Sequence, residues 1–418
     1  MRAHNVLVFL LYFSRAFVNI RVYKNPSKLV LQNACKNNDC INSCDCSCEC
    51  SSECCDDQIN NDYEYAKEYY QYLNEYNKSE DTEVNFLKSN KDDSKINYVE
   101  FAKKRKDKYK TFETNYKLIS DYNQNDESCV LELNKFTDEV DISIIPNDLM
   151  LMNEPLKHNK FSLERKIRAI TKFILNPFRH FNKYKHLPEK LIWDDNVLSE
   201  VKNQGNCGSC WAFSSTSAIE SYMRINNYTV NRLSEQQLVD CSKENHGCGG
   251  GLMHLAFDYC IENKGLVSND DYSYVAQGQL CAIDCNNTCL PGNHSFNGEY
   301  YLNVIGSNIT GYEYILPRSM LDIMASLQNG PIAIALDASS FIFRFYKKGV
   351  IDIPSRMSEQ INHAVLLTGY DRDENGTYWI IQNSWGKDWG DDGFVKLRAR
   401  DGDGVLLSQV YGVYPKYK

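Results

Sequence analysis

The segment Gln204–Phe213, with the sequence QGNCGSCWAF, decides how the second half of this chain folds. It leads into Trp211–Ile219, a run that holds no charged residue and many small ones, as expected for a helix buried in a core. Cys210 would begin this helix, where the first backbone N–H groups and the helix dipole stabilise a thiolate. A buried cysteine beside another cysteine is often structural, but a position at a helix start favours a nucleophile.

Two further motifs lie downstream. Asn362-His363-Ala364 precedes an apolar run, and Gln382-Asn383-Ser384-Trp385-Gly386 is followed by Trp389-Gly390. Together with QGNCGSCWAF, these motifs resemble those of the papain-like cysteine proteases, in particular the cathepsin L-like branch. The resemblance extends from about Pro188 to Pro415 and covers the C-terminal half of the chain.

The resemblance implies a role for four residues. Cys210 is expected to attack the peptide carbonyl, and His363 to pair with its thiolate and later protonate the leaving amine. Asn383 would orient the His363 ring, and Gln204 would donate to the oxyanion together with the Cys210 backbone N–H. From residue type alone, the alternatives are a core histidine and a turn asparagine.

The resemblance also implies two disulfides. They are Cys207 with Cys248, and Cys241 with Cys281. The chain departs from papain in lacking the family's third common bridge, since Leu406 stands at one of its positions. An insertion after Cys281 carries Cys285 and Cys289, for which a local disulfide is predicted, whereas Cys260 is expected to be buried and unpaired.

Substrate contacts are assigned by position within the same resemblance. Gly250 and Gly251 would present backbone to an extended peptide. Leu252, Met253, Ala335, Ala364 and Tyr411 map onto the pocket for the second residue before the cleaved bond. The full set of substrate-binding candidates is Gly250, Gly251, Leu252, Met253, Ala335, Asn362, Ala364, Trp385 and Tyr411. The pocket is apolar and offers no counter-charge, so we expect it to prefer Leu or Val over Arg.

Patterning independently predicts an α+β architecture for this half. Ser234-x-x-Gln237 has the form of a capping box that starts a second helix towards Cys241. Short apolar runs bounded by turn residues follow later, as expected for strands. They are Pro331–Leu336, Ala364–Tyr370, Tyr378–Gln382 and Gly393–Leu397. Helices first and strands later predict an α+β arrangement of two packed subdomains. The resemblance implies that one subdomain is helical and the other antiparallel β, with the active site in the cleft between them.

Composition and charge exclude other classes. The chain has 418 residues, is 43% hydrophobic and 24% charged, and carries a formal charge of −9. Residues 188–418 hold 18 Lys and Arg against 27 Asp and Glu, so this half carries the whole net charge. A nucleic-acid-binding face needs clustered Lys and Arg, so none is expected here.

The region upstream resembles an inhibitory prosegment. Phe112-x-x-Asn115-x-x-x-Ile119-x-x-x-Asn123 matches half of the helix motif of cathepsin L-like proregions, and Asn134-x-Phe136-x-Asp138 resembles the motif that follows it. Lys104 and Lys108 depart from the family pattern of Glu and Arg, and a generic amphipathic helix is the alternative. The basic segment Lys157–Lys190 has apolar residues near a helical period, which fits contact with an acidic domain or a membrane surface. The alternative is that this segment is a solvated linker helix.

The N-terminus points to the secretory pathway. Arg2 precedes the apolar run Val6–Phe13, which fits either a cleaved signal peptide or an uncleaved signal anchor. The chain has 17 cysteines, eight of them within Cys35–Cys55, as expected for an oxidising compartment. That cluster is interpreted as a disulfide-linked or disordered spacer, with soft-metal binding as the alternative. Six asparagines fit the glycosylation pattern: Asn77, Asn227, Asn286, Asn293, Asn308 and Asn375.

These observations predict four segments. They are 1–20 as a signal peptide or anchor, 21–60 as a cysteine-rich segment, 61–187 as the prosegment and 188–418 as a papain-like catalytic domain. The protein is predicted to be a latent cysteine endopeptidase and a monomer, without cofactor or metal, in an acidic lysosome-like vacuole or outside the cell. Its partners would be protein and peptide substrates, its own prosegment and, through the N-terminus, a membrane.

Two rival functions stay open at this point. A catalytically silent scaffold that binds peptides would be expected to lose Cys210, His363 or Gln204, and all three are present. In the second rival, the cluster Cys35–Cys55 is the functional part, as a metal or lipid attachment site, and the protease is its cargo.

Overall fold

The structure is a computed structural model that describes residues 63–76, 78, 98–126, 128–139, 186–283, 304–306, 309–315, 319–352, 362–399 and 412–417, all within the unit Tyr63–Lys418. Several sequence predictions lie outside these ranges. They concern the segment 1–20, the cluster Cys35–Cys55, most of Lys157–Lys190, Cys285, Cys289, Tyr411, Leu406 and the sequons at Asn77, Asn286, Asn293 and Asn308. Of the remaining sequons, Asn227 and Asn375 are exposed.

The described part of the region upstream of the catalytic half contains three helices. Helix α1 spans Ala66–Glu75, α2 spans Tyr98–Lys104 and α3 spans Lys106–Asn125, and the short strand β1 follows at Cys129–Leu131. Aromatic side chains that recur at helical spacing bring these helices together, because burying them removes a large apolar area from water. The buried aromatic residues are Tyr69, Tyr70, Tyr72, Phe101, Tyr109 and Phe112.

Helices then dominate the start of the catalytic half. They are α4 (Cys210–Ile225), α5 (Glu235–Cys241) and α6 (Met253–Glu262). The uncharged run predicted to be a buried helix lies inside α4. The predicted capping box is confirmed, because the Ser234 hydroxyl accepts a hydrogen bond from Gln237 N at 3.0 Å and α5 begins at the next residue.

Strands dominate the remainder. The elements are β2 (Leu191–Ile192), β3 (Gly265–Val267), β4 (Val304–Gly306), β5 (Ile309–Tyr314), α7 (Met320–Leu327), β6 (Ile332–Leu336), α8 (Phe341–Arg344), β7 (Tyr346–Gly349), β8 (His363–Asp373), β9 (Gly376–Gln382), β10 (Phe394–Arg398) and β11 (Gly412–Tyr417). The main sheet runs in the order β10-β9-β8-β6-β11-β5, and β2 also pairs with β8. Its pairings are antiparallel, as predicted.

Strand β8 connects the sheet to the helical half. Its first eight residues are all buried, since α4 packs on it and β6 and β9 flank it. The hydroxyl of Ser214 on α4 donates to the Val365 carbonyl at 2.7 Å, which fixes the helix against the strand. The start of α4 and the start of β8 are thereby brought together. The predicted α+β order is confirmed, and no helix within the described ranges is long and apolar enough to cross a membrane.

Candidate active site

Cys210 is the first residue of α4, and it is completely buried. The backbone N–H of Ala364, near the start of β8, donates a hydrogen bond to Cys210 Sγ at 3.3 Å. His363 immediately precedes Ala364 in the strand. The fold therefore places the predicted nucleophile beside the strand that carries the predicted base.

His363 is held by Asn383 from the neighbouring strand end. His363 Nε2 lies 2.8 Å from Asn383 Oδ1, and the same oxygen accepts the backbone N–H of Ser384 at 2.8 Å. Because the Asn383 oxygen is occupied by two donors, the ring nitrogen facing it carries the proton. The other ring nitrogen is then left for proton exchange with a sulfur or a substrate.

Aromatic rings cover this hydrogen bond. The Trp385 ring centroid lies 4.9 Å from that of His363, and Trp389 packs edge-on against Trp385 at 5.1 Å. Phe343 closes the cluster, with its centroid 5.6 Å from Trp385. His363 and Asn383 are 2% and 3% exposed, so the bond is shielded from competing water.

Burial controls the charge state of both reacting groups. It raises the pKa of Cys210 to about 12, although the backbone N–H groups of Ala364, Trp211 and Cys210 itself lower it. Burial also lowers the pKa of His363 to about 4, against the opposing effect of the Asn383 hydrogen bond. The sequence predicted a thiolate; here the effect of the helix start is present but smaller than the cost of burying a charge. This form of the chain therefore favours a neutral thiol and a neutral imidazole.

Gln204 is oriented from both sides. Its Nε2 donates to the Cys207 carbonyl at 3.0 Å, and its Oε1 accepts from the Ser384 hydroxyl at 2.7 Å. The backbone of Gln204 also donates to the Ser384 carbonyl at 2.9 Å. These bonds leave the side-chain amide fixed in the loop that leads to Cys210, where a donor to an oxyanion is required.

Two disulfides brace the loops around this site. Cys207 is bonded to Cys248, and Cys241 is bonded to Cys281, the pairs that the resemblance implies. The first links the nucleophile loop to the glycines at 249–251. Gly251 has no room for a side chain, because a Cβ would come within 2.4 Å of Asn245 Oδ1 and 2.7 Å of the Trp211 ring.

The structure brings together only some of the residues that are predicted to form the substrate pocket. Ala335 and Ala364 are direct partners across β6 and β8, and Met253 belongs to the same apolar cluster as Ala364. Leu252 is 9% exposed and lies at the start of α6, next to Gly250 and Gly251. The Asn362 side chain accepts the Ala338 N–H at 2.8 Å, so it contacts the loop after β6. Cys260 is buried and free of disulfide bonding, as predicted.

The upstream region packs directly onto the catalytic half. Strand β1 pairs with β7, in the register Cys129 with Gly349. Phe136 packs edge-on against Trp385 at a centroid distance of 5.4 Å, and Lys135 Nζ donates to the Trp385 carbonyl at 2.6 Å. The turn that holds the motif Asn134-x-Phe136-x-Asp138 thus contacts the residue that covers the His363–Asn383 bond.

Sequence reasoning missed several of these contacts. Arg344 donates to the Phe136 carbonyl at 2.9 Å and to the carbonyl of Glu139, which anchors the turn to the catalytic half. Lys135 and Arg344 lie more than two hundred residues apart from their partners along the chain, and no local pattern marks them. Ser384 was visible inside a quoted motif, and its contact with Gln204 was not foreseen.

Comparison with known proteins agrees with this geometry. Residues 187–412 match the family described as papain family cysteine protease. Procathepsin L of Felis catus is 36% identical over 304 residues, covering 70% of this chain and 81% of that protein. The KDEL-tailed cysteine endopeptidase CEP2 of Arabidopsis thaliana is 33% identical over 295 residues, covering 70% and 74%. The solved digestive procathepsin L2 proteinase of Tenebrio molitor larval midgut gives a TM-score of 0.57 at 30% identity, covering 75% of this chain and 93% of that one.

The structure has a buried cysteine at a helix start, a histidine held by an asparagine and a helical segment packed on a two-part α+β fold. Together these features define the precursor of a cysteine endopeptidase. The chain belongs to the papain family of cysteine proteases, and its relatives include cathepsin L-like enzymes. The predicted family, fold class and enzyme class are thereby confirmed.

Proposed function

We propose that this chain is a latent endopeptidase precursor that, once activated, hydrolyses peptide bonds through Cys210 and His363. The observation that carries the proposal is the contact of Cys210 Sγ with the Ala364 N–H, directly beside a histidine whose Nε2 lies 2.8 Å from Asn383. Opening the cleft to water removes the burial that keeps both groups neutral, so the proton moves from sulfur to imidazole.

The reaction then takes two steps. The Cys210 thiolate adds to the peptide carbonyl, and His363 gives its proton to the leaving amine as the C–N bond breaks, which leaves a thioester on the sulfur. A water molecule loses a proton to His363 and attacks the thioester, which releases the acid and returns the proton to the pair. Asn383 keeps the imidazole ring aligned through both steps.

Charge on the carbonyl oxygen is met by Gln204 Nε2 and the Cys210 backbone N–H. Both are held in place before substrate arrives, one by the Ser384 hydroxyl and the other by α4. Losing one such donor typically costs about 3–4 kcal/mol of transition-state stabilisation. The contribution is large because both donors are already in position when charge develops on the oxygen.

The upstream region, 61–187, acts as the inhibitor of the uncut chain in this proposal. Its support is the strand pairing of β1 with β7 and the packing of Phe136 on Trp385.

The secretory N-terminus and the disulfides support passage through an oxidising compartment to an acidic vacuole or to the outside. An apolar pocket at Met253, Ala335 and Ala364 supports a preference for Leu or Val two positions before the cut.

The proposal is tested with Cys210→Ala and His363→Ala precursors, cut by tagged parental enzyme that is then removed. Each cut variant should lose at least about 10³-fold in peptide hydrolysis, since a nucleophile and its base act as a unit. Cys260→Ala, which alters a buried free cysteine elsewhere in the same half, is the matched control and should keep activity within about twofold. Residual hydrolysis within tenfold of the parent in either active-site variant would contradict the assignment.

A further inference from the structure

The hydroxyl of Tyr274 lies between the two sides of the oxyanion site. It donates to the backbone carbonyl of Gln204 at 2.7 Å and lies 2.6 Å from the hydroxyl of Ser209. A tyrosine hydroxyl has one proton, so Ser209 is the donor to Tyr274 when Tyr274 donates to Gln204. One oxygen atom thus joins the Gln204 backbone to the residue that precedes Cys210.

The Tyr274 hydroxyl joins two residues, and each of them either carries an oxyanion donor or lies next to one. Gln204 supplies the side-chain N–H, and Ser209 is the cap residue of α4, whose first N–H belongs to Cys210. The Gln204 side chain is fixed from the other direction by Ser384. Without the Tyr274 hydroxyl, the spacing between the Gln204 backbone and the helix start depends on the loop 205–208, which is held by the bond from Gln204 Nε2 to the Cys207 carbonyl and by the Cys207–Cys248 disulfide.

We propose that the Tyr274 hydroxyl is a positioning group that sets the distance between the two oxyanion donors, Gln204 Nε2 and the Cys210 N–H. This inference rests on the proposed proteolytic function. A displacement of about 1 Å in such a site can cost about 10²-fold in rate, so a hydroxyl that prevents a smaller displacement has a measurable effect.

Packing of the ring and the role of the hydroxyl are separable. The Tyr274 ring packs edge-on against Phe213 at a centroid distance of 4.8 Å, a contact that phenylalanine would keep. Burial raises the pKa of Tyr274 to about 12, so the hydroxyl keeps its proton at any pH at which the enzyme would work. Tyr274→Phe therefore removes one partly buried hydrogen-bonding oxygen and leaves the ring packing intact.

The test compares Tyr274→Phe with Tyr272→Phe, the same change two residues away. The Tyr272 hydroxyl donates to Asp240 Oδ2 at 2.7 Å and makes no contact with Gln204 or Ser209 among the described residues. In the cut enzyme, Tyr274→Phe should lower kcat about tenfold with KM within about twofold, while Tyr272→Phe should leave both within about twofold. Equal kcat in the two variants would overturn the inference.

Alkylation of Cys210 by iodoacetamide separates positioning from general damage, because this reaction needs the thiolate and no oxyanion site. Its rate in Tyr274→Phe should stay within about twofold of Tyr272→Phe. A parallel fall in kcat and alkylation would show that the start of α4 has moved, and would overturn the inference. In a Gln204→Ala background, Tyr274→Phe should cost clearly less than in the parent, and full additivity would also contradict it.

Failure of the proposed function gives a different result. If Cys210→Ala hydrolysed peptides as well as the parent, the proteolytic assignment would fall whatever the Tyr274 variant does. If Cys210→Ala is inactive and Tyr274→Phe matches Tyr272→Phe, only the positioning role is wrong.

Discussion

The upstream helical region and the catalytic half differ in what their buried polar groups are paired with. Upstream, tyrosines make up much of the core, and the Tyr72 hydroxyl donates to Asp138 at 2.9 Å while Lys78 pairs with the same carboxylate. In the catalytic half, Lys202 is buried between Glu220 at 2.9 Å and Glu235 at 2.6 Å, and two disulfides brace the surrounding loops.

The pairing in the catalytic half lets one buried carboxylate, Glu235, keep its charge in acid. Burial alone would raise the pKa of Glu235, but Lys202 and Arg232 hold it below its ordinary value. A lowered pKa means that the stabilising contribution is present above about pH 4.3 and is lost only as the pH falls through the lowered value. Glu235 therefore keeps its contacts with Lys202 and Arg232 to a lower pH than an ordinary glutamate would.

His363, which lies where the upstream region meets the catalytic half, also responds to acid. Its pKa is lowered to about 4 by burial, so between about pH 6.5 and pH 4 the closed form binds fewer protons than a form in which the ring meets water. Falling pH across that window costs the closed form stability. Acid therefore favours an opened form in which the His363 ring takes its proton from water, whereas a proton taken from Cys210 leaves the number of bound protons unchanged.

The largest expected effect is on the reactivity of Cys210. A thiol pKa of about 12 in the uncut chain, against an ordinary value of about 8.5, predicts alkylation about 10³-fold slower at pH 7 than for an ordinary cysteine. In the uncut chain, the rate of Cys210 alkylation should rise about tenfold for each pH unit from 6 to 8, because only the thiolate reacts. The cut enzyme should react fast with little pH dependence.

Peptide mapping after iodoacetamide treatment of both forms measures this difference. Cys260, whose pKa burial also raises, is the internal control and should stay unmodified in both. Equal alkylation of Cys210 before and after cutting would mean that burial does not set its charge state.

The second effect concerns Phe136. It is 8% exposed and packs on Trp385, and removing a buried phenylalanine ring typically costs about 3–5 kcal/mol. Phe136→Ala should raise peptide hydrolysis by the uncut chain at pH 7.5 by about 10²-fold, measured before any cutting is visible on a gel. Leu118→Ala, which alters an exposed apolar residue of α3, is the control and should leave latency unchanged. Unchanged latency in Phe136→Ala would remove this contact from the inhibitory mechanism.

Some features of the fold and of the candidate site can be predicted from the sequence, and others cannot. The capping box at Ser234 and the uncharged run after Cys210 are local patterns, and they located α5 and α4 correctly. Family motifs supplied the four catalytic candidates and both described disulfides. The contact of Lys135 with the Trp385 carbonyl joins residues 250 positions apart, and the neutral state of Cys210 depends on complete burial. Neither has a local pattern in the sequence, because both arise from packing between distant segments.

The third effect concerns the substrate preference of the catalytic half. The described residues assigned to the pocket in our proposal, Met253, Ala335 and Ala364, carry no charge, so a Leu two positions before the cut should be preferred to Arg by about 1–3 kcal/mol. Because nothing in this group titrates, the ratio of kcat/KM for the two peptides should stay constant from pH 5 to 7, while latency changes. The measurement is a peptide series varied only at that position. Equal or faster cleavage with Arg would show that the pocket has been assigned to the wrong residues.

The smallest effect tests the polar contacts of the upstream core. Asp138→Asn removes the charge that Tyr72 and Lys78 meet, and it keeps the shape of the side chain. Lys78 is partly exposed and can turn to solvent, so the cost should be near 1 kcal/mol, and conversion of the precursor at pH 6 should be about fivefold faster. Glu113→Gln, which alters a carboxylate paired with Lys117 on the surface of α3, is the matched control and should convert like the parent. Unchanged conversion in Asp138→Asn, or an equal gain in Glu113→Gln, would remove the contacts of Asp138 with Tyr72 and Lys78 from the inhibitory mechanism.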